Sequence, residues 1–157
     1  MKHARLGAVL ITAAGYLLIA AAAHAADRGT PAEAKDMLGK AVAHYKSAGK
    51  QAALSDFSAG KAPFRDRDLY VVCISADHKI AANGAFPAYV GRSADALVDS
   101  KGNPVGKALW DAAGKSLDGS IEYPMLNPAT GKLEDKTMFY SKVAPDLVCG
   151  VGAYSAR

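Results

Sequence analysis

The sequence predicts an α+β domain, a five-stranded antiparallel sheet with helices on one face. Three observations carry this expectation. Leu69–Ile74, within the two-strand stretch Asp68–Gly84, and Asp146–Tyr154 are apolar runs rich in β-formers, which suits strands covered on both faces. A stretch with helical spacing precedes them, beginning at Thr30. From Ser120 onward the chain alternates strand-like runs with turn clusters. Each of the two apolar runs carries one of the chain's two cysteines, and the runs are expected to be central neighbours in the sheet.

The first 25 of the 157 residues are set apart from this domain. Lys2, His3 and Arg5 make a basic start, Leu6 to Ala23 is apolar or small, and Ala23-His24-Ala25 is an A-x-A cleavage site. Residues 1–25 are therefore expected to be a secretory signal peptide, with residues 26–157 a single domain. An uncleaved membrane anchor is the alternative, because these 18 apolar residues just reach spanning length. Without Lys2 and Arg5 the balance is 17 basic against 15 acidic residues, net +2. No basic run or basic-aromatic stripe exists, which argues against nucleic acid.

In chain order, Thr30-Pro31-Ala32-Glu33 opens a helix. Thr30 caps it, Pro31 takes its first position and Glu33 completes a capping box. Ala34, Met37, Leu38, Ala41, Val42 and Tyr45 form one apolar face. Gly49 interrupts, and Lys50 to Phe57 resumes as a shorter helix with Ala53, Leu54 and Phe57 inward. Lys61–Asp68 is a linker. Leu69–Ile74 and Ile80–Ala82 are the first two strands, joined by a turn holding His78, which is expected to be solvated. Phe86 to Arg92 begins a long irregular crossing, and a helix follows from Val105 to Lys115. Ser120–Met125, Lys136–Val143 and Asp146–Tyr154 complete the sheet as a meander, with a turn cluster at Asn127–Gly131.

The catalytic motifs sought are absent: no G-x-S-x-G, no H-E-x-x-H and no Gly-rich phosphate loop. His44 and His78 lie far apart, which makes a poor metal site, and no metal or cofactor is expected. His44 reads as a histidine at the boundary of the apolar face. Cys73 and Cys149 are too far apart in sequence for a C-x-x-C site. In an oxidising compartment they can pair if their strands are adjacent, closing a loop of roughly 75 residues worth about 4 kcal/mol in the chain-entropy model. Otherwise they are two buried thiols. Amphipathic aromatics are in excess on the strands and crossing: Tyr70, Phe86, Tyr89, Tyr123, Phe139 and Tyr140, with Arg92, Lys136 and Lys142 among them. Apolar walls, tyrosine hydroxyls and one cation suit a small carboxylate, although an ordinary aromatic core uses the same residues.

Five pieces in order resemble the single Cache domain, type 2, a PAS-like extracellular sensor module. They are DLYVVCISADHKIAANG, FPAYVGRS, LVDSKGNPVGKALWDAA, IEYPMLNPATGK and DKTMFYSKVAPDLVCGVGAY. The resemblance covers about residues 32–155. It implies a five-stranded antiparallel sheet of order 2-1-5-4-3 with the long N-terminal helix along it, which sets the first and last strands side by side and supports a Cys73–Cys149 disulfide. It also implies a small organic acid bound under the crossing by Tyr70, Phe86, Tyr89, Arg92, Tyr123, Lys136 and Tyr140. Members usually continue into a transmembrane helix and an output module, whereas this sequence stops at Arg157. The implied reading is a free-standing periplasmic sensor without catalysis, signalling through a membrane-bound receptor or kinase. The alternative is a small secreted enzyme of unrecognised type.

Lys136 is expected to hold the acid. On a strand it shares a face with Met138, Tyr140 and Lys142. If Tyr140 lines the pocket, Lys136 must lean back over roughly 13 Å toward it.

Overall fold

The computed structural model of the protein describes residues 28–155, so the expected signal peptide and its cleavage site lie outside the described residues. Helix α1 spans Pro31–Ala48. Its start follows the capping logic: the Thr30 hydroxyl accepts from the Glu33 N–H while the Glu33 carboxylate accepts from the Thr30 N–H. Gly49 ends the helix at φ 83, a left-handed value that favours glycine, and α2 runs from Lys50 to Ser58.

The linker adds a two-residue strand, β1 (Arg65–Asp66), to the five strands expected. Those five are β2 (Leu69–Ser75), β3 (Ile80–Asn83), β4 (Asp118–Leu126), β5 (Leu133–Ala144) and β6 (Leu147–Ser155). All neighbouring pairs are antiparallel. The order is β1-β2-β6-β5-β4, with β3 also paired to β2. Apart from the short β1, this is the order 2-1-5-4-3. Helix α3 spans Val105–Lys115.

Strand alternation divides the core in two. Leu69, Val71 and Cys73 of β2, with Leu147, Cys149, Val151 and Ala153 of β6, face α1 and α2. Ile74 and Val148 point the other way, joining Ile80, Tyr123, Met138 and Tyr140 beneath the crossing and Leu109 of α3. The helices thus cover both faces, not one. The reason is topological: after β3 fills the edge beside β2, the chain must cross the sheet to reach β4 at the far edge, and α3 lies along that crossing. Cys73 and Cys149 are directly opposed in the β2–β6 ladder and form a disulfide beneath α1 and α2. Among the described residues no helix is long and apolar enough to cross a membrane.

Candidate functional site

The crossing leaves a cavity of about 290 Å³ between itself and the sheet. Tyr70 and Val72 of β2, Asn83 of β3, Tyr123 of β4, Lys136 of β5 and Tyr154 of β6 build its floor and walls. Phe86, Tyr89, Leu97 and Val98 of the crossing close it from above. Backbone bonds hold the crossing to β3: Ile80 N–H donates to Arg92 at 2.9 Å, Gly91 N–H to Ile80 at 2.8 Å and Ala94 N–H to His78 at 2.7 Å. Phe86, Tyr89, Val98 and Leu126 are exposed, so the mouth of the cavity is apolar.

Lys136 is the feature that needs explanation, because a lysine 2% exposed is rare unless partnered. Its register sets Tyr154 on one side and Tyr123 on the other. Its stem lies diagonally across β6 at Gly152, where a Cβ would come within 2.0 Å of Lys136 Cε. The missing side chain at Gly152 is what admits the lysine. The ammonium then donates to the Tyr70 hydroxyl at 3.0 Å and the Tyr154 hydroxyl at 3.1 Å, and it lies 4.4 Å from the centroid of each ring. The Tyr154 hydroxyl in turn donates to the carbonyl of Leu126 at 3.3 Å. An ammonium has three donors. Two go to the phenols, and the residue borders the cavity.

Of the three phenols, Tyr70 responds to this charge. Burial pushes the Tyr70 phenol up, but the Lys136 charge and hydrogen bond outweigh it and bring the pKa below the ordinary tyrosine value. Burial raises Tyr123, which has no such contact, and burial together with Tyr70 raises Tyr154. The cavity therefore has one buried cation held by phenol oxygens that accept from it. Its lining contains no aspartate, glutamate or histidine. That arrangement suits an anion with an apolar body.

A layer of polar groups lies beside the cavity. Arg28 grips Glu134 with two bonds of 2.6 Å, Thr130 donates to Glu134 at 3.0 Å, and the buried Asn127 amide donates to Glu134 at 2.8 Å and to Asp68 at 3.3 Å. Asp68 also accepts from the Gly29 N–H at 2.6 Å. Alternation puts Asp68 on the face of Tyr70, and Glu134 on the face of Lys136. The start of the described chain is thus fastened next to the cavity floor.

Of the residues expected from the sequence, Tyr70, Phe86, Tyr89, Tyr123 and Lys136 come together at this cavity. Arg92 and Tyr140 do not. Arg92 is exposed outside the crossing, with its guanidinium 5.3 Å from the Tyr89 centroid, beside a separate cleft of about 220 Å³. Tyr140 is buried with Leu109 and Val148 under α3. It shares a face with Lys136, but the lysine leans across Gly152 toward β2 and not back along its own strand. Tyr154 and Asn83 were missed. Alternation on β6 puts Tyr154 on the face away from Cys149 and Val151, which is the signal that could have found it; nothing singled out Asn83. His78 is half-buried and paired with Asp95 at 3.1 Å where a solvated ring was expected. His44 stays at the boundary, 2.8 Å from the Asp56 carboxylate and against Phe64. Among the described residues no group of histidine, cysteine or carboxylate side chains could hold a metal ion.

The family described as Single Cache domain 2 matches residues 2–156. No curated protein matches the chain. Among solved structures, a methyl-accepting chemotaxis protein from Vibrio parahaemolyticus superposes with a TM-score of 0.64 at 22% identity, over 87% of this chain and 90% of that one. A Cache chemosensory domain described for its carboxylic acid recognition gives 0.58 at 16% identity, over 76% and 84%. The periplasmic sensor domain of a chemotaxis protein gives 0.59 at 16% identity, over 89% and 99%. At these identities the likeness is one of fold. The family match spans nearly the whole chain, and the chain belongs to the single Cache domain 2 family.

Proposed function

We propose that this Cache domain is an exported, non-catalytic sensor that binds a small organic acid in the cavity under its crossing. The observation that carries the reading is the Lys136 ammonium, buried in the cavity lining on two phenol oxygens with no carboxylate beside it in that lining. A charge that costly to bury is kept where an anion uses it. The volume of about 290 Å³ limits the ligand to a small molecule. That one of the similar structures is described for carboxylic acid recognition supports the same class. Binding needs only shape and complementary charge, which the lining offers, and no nucleophile-base pair stands in it. In this reading residues 1–25 are removed on export, residues 26–157 form the sensor, and a separate membrane-bound receptor or kinase takes the signal.

Thermal unfolding of the purified domain against a panel of small carboxylates and their neutral amides tests this. At a hundredfold excess over its Kd a ligand stabilises by about 2.7 kcal/mol, which raises Tm by roughly 10 °C in a domain of this size. Amides should give no shift. If no carboxylate shifts Tm, or the amides shift it equally, the acid-binding role is wrong.

A further inference from the structure

Asn83 ends β3 where the crossing begins, and it is 4% exposed. Its side-chain oxygen accepts from the N–H groups of Ala85 at 3.1 Å and Phe86 at 2.8 Å. Those two bonds set the entry of the crossing, including the Phe86 ring that stacks on Tyr89 with centroids 5.5 Å apart. The other half of the amide is an NH2 with two donors. Among the described residues these donors have no partner. No fully enclosed side-chain nitrogen or oxygen is left unpaired there, so this nitrogen is not sealed in the core. It reaches open space, and the open space that Asn83 borders is the cavity.

Register gives the spacing from Lys136. Asn83 is opposite Val72, and Tyr70, beneath the ammonium, is two residues earlier on the same face of β2. Two residues along a strand are about 6.7 Å, which a three- or four-carbon acid spans. The lining carries no carboxylate to meet a ligand ammonium.

We infer that Asn83 sets the specificity of the cavity: its NH2 takes a second, uncharged oxygen of the bound acid, and its carbonyl oxygen ties that contact to the position of the crossing. This rests on the acid-binding reading and deepens it. The ligand class is a monocarboxylate bearing a neutral oxygen acceptor. An unsubstituted acid leaves the amide unpaired, and a zwitterion brings an ammonium with no counter-charge.

Three acids of one size differ only in the substituent: propanoate, 2-hydroxypropanoate and 2-aminopropanoate. Calorimetric titration of the purified protein should show 2-hydroxypropanoate binding about three- to tenfold tighter than propanoate, the worth of one hydrogen bond. The amino acid should bind more weakly than either. Asn83→Ala should level the first two. Asn83→Asp keeps the acceptor and replaces the donor with a carboxylate, so it should shift preference toward 2-aminopropanoate. In ligand-free protein, hydrogen exchange at the Ala85 and Phe86 amides should quicken in Asn83→Ala and stay slow in Asn83→Asp. Equal binding of propanoate and 2-hydroxypropanoate by the unaltered protein overturns the specificity role alone, as does a preference that survives Asn83→Ala. Unchanged exchange in Asn83→Ala overturns the tie to the crossing. Failure of all three acids to bind overturns this role, and the acid-binding reading falls with it only if no carboxylate of the thermal panel binds either.

Discussion

Gly152→Ala perturbs the site without removing any charge or hydrogen-bonding group. The new methyl carbon would stand 2.0 Å from Lys136 Cε and 3.0 Å from both Cδ and Cγ. Carbon atoms pack at about 3.5–4.0 Å, so Cε must retreat by roughly 1.5–2 Å. A shift of that size carries the ammonium away from hydroxyls it meets at 3.0 and 3.1 Å and lengthens both bonds beyond hydrogen-bond range. Overpacking of this kind costs about 1–3 kcal/mol. In a domain of this size that lowers Tm by roughly 4–10 °C. Urea unfolding of Gly152→Ala, Lys136→Ala and the double variant isolates the cause. In the Lys136→Ala background the stem is gone, so the same alanine should be neutral or slightly stabilising, and the two sites should couple by about 1–3 kcal/mol. Equal cost in both backgrounds, or no cost in the first, would refute the claim that the glycine exists to seat the lysine.

Replacing both Cys73 and Cys149 with alanine opens a loop closed at a sequence separation of 76, which the chain-entropy model values at about 4.5 kcal/mol; urea unfolding should show most of that loss, and two free thiols in denatured, non-reduced protein would contradict the pairing. Glu134 has a folded-state pKa below its ordinary value: burial pushes it up, but hydrogen bonds from Arg28, Asn127 and Thr130 outweigh that. Its contribution is therefore present above the unfolded carboxyl pKa and is lost as pH falls through the lower folded value. Stability measured from pH 7 downward should decline less steeply in Glu134→Gln than in the unaltered protein, and identical slopes would remove Glu134 from the acid response.

Much of the fold was legible because local signals agreed with tertiary needs. The capping box at Thr30 and Glu33, the break at Gly49 and the continuous apolar character of β2 and β6 each have one physical solution. The disulfide followed once export and adjacency of those strands were both assumed. The face of α3 was not legible, since an amphipathic helix reports that it has a buried side but not which side of the sheet it covers. The site was half legible. The resemblance grouped Tyr70, Tyr123 and Lys136; strand alternation gives the face a residue occupies but not the direction in which a long side chain leans. Lys136 turned toward Tyr70 because Gly152 leaves the space, a contact between strands β5 and β6 that spacing along β5 alone does not encode. Arg92 fell outside because the crossing turns back on β3 at Gly91, φ 84, and presents the next side chain to solvent. Asn83 carried no signal of its own, because an asparagine at the end of a strand is ordinary turn chemistry, and its oxygen does accept from the Ala85 and Phe86 N–H groups.

Calorimetric titration of Lys136→Met with the tightest acid from the carboxylate panel tests the central claim most directly. Methionine keeps the length and apolar stem and removes only the charge and its donors. A charge-assisted hydrogen bond is worth about 1.5–3 kcal/mol, so affinity should fall roughly ten- to hundredfold while the unfolding transition stays cooperative. Affinity equal to that of the unaltered protein would show that the buried ammonium does not hold the ligand.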